Sequence, residues 1–205
     1  MPTTSNMENV NGIVIAGAIT EAHTLLKTAT ASSSSTVSFS TRIDSSFDVY
    51  EFHCINIHAA SDNVDFEFQV NAAGQSGFNE TITSTVFDAW HFDTEDGSSD
   101  YALTIQDAHD QAQGTTYQEI LGYSMGNGDA KYSCSGVLTL YNPASKTSVK
   151  QFTAVGQSIH SAGITLSIHT AGYINTTAPI DEISFAMESG NIDAGQIKMY
   201  GIAKA

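Results

Sequence analysis

The stretch EISFAM (Glu182–Met187), followed by SGNIDAG (Ser189–Gly195) and QIKMYGI (Gln196–Ile202), decides the fold class. Ile183, Phe185 and Met187 alternate with Glu182, Ser184 and Glu188, the period-two pattern of a strand with one dry face. Ile197 and Met199 repeat that pattern against Gln196, Lys198 and Tyr200. The polar spacer between the two runs is seven residues long, more than a tight hairpin needs. The two strands therefore either pair with each other or join neighbouring sheets, and the second is expected to close a β-sheet.

The same alternation recurs upstream. Ile164, Leu166 and Ile168 alternate with Thr165, Ser167 and His169, and a loop is expected over Gly172–Pro179. Gly136–Tyr141 reads as a strand ended by Asn142-Pro143-Ala144-Ser145, and Val149–Val155 as its return. Phe66, Phe68 and Val70 oppose Asp65, Glu67 and Gln69 in a half-buried strand over Val64–Asn71. Phe47–Ile57 is apolar on both faces and reads as a central strand, with Tyr50, Phe52 and Cys54 on one side and Val49, His53, Ile55 and Ile57 on the other. Ala59–Asn63 turns between these last two, which predicts a hairpin. Val37 and Phe39 mark a short strand after the serine run Ser32–Ser35, itself read as a flexible turn. Thr20–Lys27 reads either as a short helix or as the approach to a first strand starting near Leu25. Residues 72–131 are punctuated by glycines and read as long loops, with strands only over Thr81–Phe87 and Tyr117–Tyr123. About nine or ten strands and no long helix predict an all-β chain, a two-sheet jelly-roll-like β-sandwich. Residues 1–24 are expected to form a short N-terminal arm and residues 25–205 the sandwich.

Composition narrows the function. The chain has 205 residues, enough for one domain with a sizeable core at 41% hydrophobic content. Seven Lys and Arg against 22 Asp and Glu leave a net charge of −15, which repels phosphate backbones and argues against nucleic acid as a partner. Met1–Asn11 carries no Lys or Arg, so a secretory signal is not expected. Gly12–Ile19 is eight residues long, far short of the ~20 a spanning helix needs, so no membrane insertion is expected. Cys54 and Cys134 lack metal or redox spacing. A buried free thiol is the expected state of Cys54, and a bridge requires the two strands to face each other.

The motifs that carry chemistry are weak. Asp93, Glu95, Asp96 and Asp100 crowd oxygen ligands together as calcium requires, but glycine and acid positions do not fit an EF-hand, and a solvated acidic loop is the expected state. The seven histidines show no zinc-helix spacing, although Asp107-Ala108-His109-Asp110 sets an imidazole among carboxylates. No nucleophile elbow or phosphate loop is present, and paired carboxylates for sugar hydrolysis are defined in space rather than in sequence. No catalytic residue, metal or cofactor is therefore expected. Trp90, His91, Phe92, Tyr101 and Tyr117 form an aromatic group in what reads as loop, either packing under it or meeting a partner.

Several segments occur in an order that resembles the C-terminal β-sandwich of virion structural proteins from tailed bacteriophages, especially marine ones. These are Ala31–Ser35 before Val37 and Phe39, the run Ile43–Tyr50, Ile57-His58 ahead of Ser61-Asp62, Ser135-Gly136-Val137 with Leu140–Pro143, Gly172–Thr177 and Gly195–Ile202. The resemblance spans roughly residues 25–203. It implies a non-enzymatic tail-fibre, appendage or capsid-decoration protein, assembled in the host cytoplasm and exposed on the particle. Its partners would be other capsid or tail proteins and copies of itself, with a trimer the first state to test. Fibre proteins carry a long shaft or anchor, whereas about 24 residues precede the first matched segment here, so head and tail locations both stay open. The alternatives are a module binding host-surface glycans, with Trp90, Tyr101 and Tyr117 as stacking residues, and a polysaccharide-degrading enzyme.

Overall fold

The computed structural model describes residues 23–93 and 101–202. Most of the expected arm and three calcium candidates, Glu95, Asp96 and Asp100, lie outside the described residues. The described chain is all-β, two antiparallel sheets packed face to face as a β-sandwich. The larger contains β1 (His23–Ser34), β3 (Val49–Ala59), β5 (Ile82–Phe92), β6 (Tyr101–Ile105), β7 (Ala112–Gly114), β9 (Cys134–Tyr141), β10 (Lys150–His160), β11 (Ile164–Ile174) and β13 (Ile192–Ile202). Its order is β1-β13-β3-β9-β10-β11-β5-β6, with β7 continuing the β6 edge beside β5. The smaller sheet runs β2 (Val37–Phe39), β12 (Ile180–Met187), β4 (Phe66–Ala72), β8 (Gln118–Glu119).

The two C-terminal runs resolve as members of neighbouring sheets. β12 lies between β2 and β4, and β13 between β1 and β3, so β13 is an interior strand rather than a closing edge. Their dry faces meet across the sandwich. Phe185 packs on Phe52 of β3 at 5.6 Å between ring centroids and stacks on Phe66 at 5.9 Å; Phe68 meets Phe152 edge-on at 5.0 Å. These rings are almost wholly buried and form the centre of one continuous core. Burying each contributes roughly 1.5–3 kcal/mol.

Five expectations change. The hairpin between Phe47–Ile57 and Val64–Asn71 does not form. β3 pairs with β13 and β9, while residues 60–64 carry the chain across to the other sheet, where β4 pairs with β12 and β8. Ile57 does not oppose Cys54 either. A bulge at Asn56, held at φ 49°, shifts the register, so Cys54 faces Gly136 and Ile57 faces Cys134, with both side chains buried. The serine run is strand as far as Ser34, so β1 starts at His23 and no helix covers 23–27. Finally, the region read mostly as loop contains the full-length strand β5. Leu166 to Ile174 likewise stay in strand β11, so the loop expected from Gly172 begins only after Ile174.

The small sheet is too narrow to cover the large one. Over β10, β11 and β5 its place is taken by the segment after β8. Leu121, Tyr123 and Met125 are buried there, Tyr123 clustering with Val86, Leu166 and Ile168. Met125 is tied by single bridges to Val64 and His160. Leu121 occupies the space left by the cross-strand pair Gly136 and Gly156, where a Cβ on either glycine would lie 2.7 Å from its Cδ2.

Candidate functional site

Among the described residues, two places stand out. The first is the β6 edge. Edge strands expose unpaired backbone groups, and proteins blunt them with charge, bulges or brevity. β1 carries Lys27 and a register shift between Leu25 and Lys27; β2 and β8 have three and two residues. β6, Tyr101-Ala-Leu-Thr-Ile105, has no charge, proline or register shift. Its register with β5 pairs His91 with Tyr101, Ala89 with Leu103 and Phe87 with Ile105, all on the outer face. Tyr101, Leu103 and Ile105 are 72%, 75% and 69% exposed. The rows continue through His169, stacked on Phe87 at 4.9 Å, to half-exposed Val155. None of these side chains is acidic, on a chain of net charge −15.

Strand geometry divides the predicted aromatic group. Successive side chains point to opposite faces. Trp90 therefore faces inward, where it packs on the cluster of Val86, Tyr123, Leu166 and Ile168 and its Nε1 donates to Thr104 Oγ1 at 3.3 Å. Phe92 lies edge-on to Trp90 at 5.5 Å. His91 and Tyr101 stand together on the outer face, their rings parallel at 6.2 Å. Tyr117 lies apart, just before β8, its carbonyl accepting from Gln111 Nε2 at 3.0 Å. Trp90, Tyr101 and Tyr117 thus form no common stacking surface. Asp93, the one described calcium candidate, has an ion-pair partner in Lys131 at 2.8 Å.

The second place is a histidine–carboxylate cluster at one end of the small sheet. β4 brings Glu67 directly opposite Glu119 of β8, and Asp65, two residues earlier, lies on the same face. The turn after β6 supplies His109. Its carbonyl accepts from Nε2 of the buried Gln118 at 2.9 Å, and its ring stacks on Tyr123 at 4.3 Å. His109 Nδ1 bonds Glu119 Oε2, and one ligand atom from each of Asp65, His109 and Glu119 lies within 4.8 Å of the others. The Ser124 N–H donates to Asp65 Oδ1 at 2.6 Å. Burial, with the nearby charges of Glu119 and Glu188, lifts the Asp65 carboxyl to about 6 despite that bond. Burial and the charges of Glu119, Asp65 and Glu188 lift Glu67 to about 7. The bond to Glu119 raises the His109 imidazole against the opposing effect of burial.

The motif Asp107-Ala108-His109-Asp110 set the imidazole among its own sequence neighbours, whereas the carboxylates beside His109 come from Glu119 and Asp65. Asp65 and Glu67 stood out in the sequence only as polar positions alternating with Phe66 and Phe68; Glu119 gave no signal, and the register that sets it beside Glu67 is not readable locally. Cys54 and Cys134 are free and fully buried, and burial pushes both thiols up, which makes them poor nucleophiles. Comparison with known protein families, with curated proteins and with solved structures returns no match to this chain.

Proposed function

We propose that this chain is a non-enzymatic structural component of a tailed-phage particle, built into it as an oligomer through the β6 edge of its large sheet. The observation that carries the reading is that edge itself. Among the described residues it is the one sheet margin of more than three residues without a charge or register shift, and its outer face is apolar and free of carboxylates. On so acidic a molecule, a second copy meets least repulsion there. The ordered resemblance to phage virion proteins supports the particle assignment, and head or tail attachment follows from whichever neighbour the remaining surface meets. The gap lined by His109, Glu119 and Tyr123 admits no water-sized group, which leaves a sugar ring no place beside those acids from that side.

Light scattering on the purified chain tests the assembly. The chain should be oligomeric, and Leu103→Lys with Ile105→Lys should return it to a monomer with an unchanged circular dichroism spectrum. A monomeric parent would overturn the edge assignment. Mass spectrometry of purified particles tests the location, and absence of the chain from them would remove the virion reading.

A glycan-binding reading has its own support on the same outer face. Tyr141 and Tyr173 flank a shallow groove of about 350 Å³ lined also by Gln151, Thr153 and Ala171. Two tyrosines with amide and hydroxyl groups between them suit a sugar face and its hydroxyls. Under this reading Tyr141→Ala and Tyr173→Ala abolish retention on host-envelope polysaccharide, whereas Trp90→Ala acts only through stability.

A further inference from the structure

We infer that Asp65, His109 and Glu119 form a binding site for a first-row divalent metal ion of the zinc class, with solvent completing the coordination. The inference is independent of the phage reading. Three separate segments converge to make the site: the lead into β4, the turn after β6, and β8. Their ligand atoms already lie within 4.8 Å of one another, close enough for small side-chain rotations to bring them around one ion.

The donor set selects the ion. Calcium takes oxygen donors, and an imidazole nitrogen among carboxylates instead suits zinc and its neighbours. The imidazole is also held in place from outside the cluster. Its ring lies on Tyr123, 19° from parallel, and Tyr123 is fixed in turn by donating its hydroxyl to the buried Asp88. Gln118, buried and bonded to Ser84 Oγ at 2.6 Å, anchors the His109 carbonyl. Such outer supports orient a ligand before the ion arrives.

Charge gives the second argument. Asp65, Glu67 and Glu119 are partly buried together, and Glu188 is close by, its N–H donating to the Asp65 carbonyl at 2.9 Å. Among the described residues no lysine or arginine forms an ion pair with any of them, and His109 is the sole basic partner. Partly buried carboxylates crowded in this way cost stability unless protons or a cation offset them. A bound divalent cation supplies that charge, taking the place of the His109–Glu119 hydrogen bond.

The test is equilibrium titration of chelator-stripped protein with Zn²⁺, and with Co²⁺ as a spectroscopic probe, followed by thermal unfolding. The parent should bind one ion per chain, show intense visible Co²⁺ bands of a four-coordinate site, and melt at a higher temperature with Zn²⁺ but not with Ca²⁺. Glu119→Gln and His109→Asn should each weaken binding at least about tenfold and lose both the bands and the thermal shift. Asp65→Asn serves as the third variant where either of those fails to fold, as judged by circular dichroism without metal. Absence of stoichiometric binding in the parent overturns the inference. So does binding unchanged in the folded variants, because the ion would then sit on other histidines. Stabilisation by acid alone, with no response to Zn²⁺, identifies a proton-sharing cluster and also overturns it.

Discussion

At the scale of single residues, Leu121 has the clearest role. It reaches from the segment after β8 onto Gly136 and Gly156, and a Cβ on Gly156 would meet Leu121 Cδ2 at 2.7 Å and Ser135 O at 3.0 Å. Gly156→Ala should cost about 1–3 kcal/mol in urea unfolding through overpacking. Gly128→Ala, where nothing lies within 4 Å of the added carbon, should unfold close to the parent midpoint. A second residue-level effect concerns pH. Asp65 and Glu67 titrate at about 6 and about 7 in the folded chain, above the ordinary carboxylate range near 4. Between that range and the folded values the native state holds more protons than the unfolded one, so stability falls as pH rises through the window. His109, raised in the folded state, contributes stability present below its ordinary value and lost as pH rises through its folded value, the same direction. His160, lowered by burial, acts oppositely as pH falls, but is one group against three. In chelator the protein should melt higher at about pH 5 than at about pH 8, and Glu67→Gln should flatten the profile. A melting temperature that climbs with pH across this range would contradict the assignment.

At the scale of elements, the alternation of β4 and of the C-terminal runs was legible because their inward positions are uniformly apolar. β5 was not legible in full. Its inner face runs Ile82, Ser84, Val86, Asp88, Trp90, and the buried Asp88 breaks the pattern where local reading stops. That acid is tolerated because Tyr123 and Gln106, both distant in sequence, donate to it. The predicted hairpin failed for a related reason: short connections favour pairing, but β4 pairs with β12, more than a hundred residues away, and turns its apolar face onto the large sheet. Of the histidine–carboxylate cluster, only His109 stood out by its acidic neighbours; Glu119 carried no signal, and the convergence depends on the β4–β8 register and on a turn pinned by Gln118. The bulge in β3 was equally invisible, and it decides which way Ile57 points. Deleting Asn56 would straighten the strand and leave Ile57 two positions after Cys54, facing inward opposite Cys134 as before, so the core should survive the deletion. Circular dichroism should therefore show a cooperative melting transition for the deletion, and its absence would show that the bulge itself is required. Asn56→Gly should fold, because φ 49° suits glycine.

At the scale of the whole molecule, charge and topology dominate. A net charge of −15 on 205 residues disfavours the compact state through self-repulsion. Raising ionic strength from about 0.01 M to about 0.15 M shortens the screening length from about 30 Å to about 8 Å, and the melting temperature should rise with it. A melting temperature that falls with added sodium chloride would show that attractive pairs outweigh this repulsion. Topology has a consequence for biosynthesis. β12 and β13 are the last described strands to be translated, yet each is an interior strand of its sheet. While the ribosome is still making them, β2 and β4 have no shared neighbour, and neither do β1 and β3. The nascent chain must keep two sticky, half-built slots open until their central staves emerge. Arresting translation before Ile180 should therefore leave a protease-sensitive polypeptide that recruits chaperones, and release of the remaining segment should snap both layers shut together.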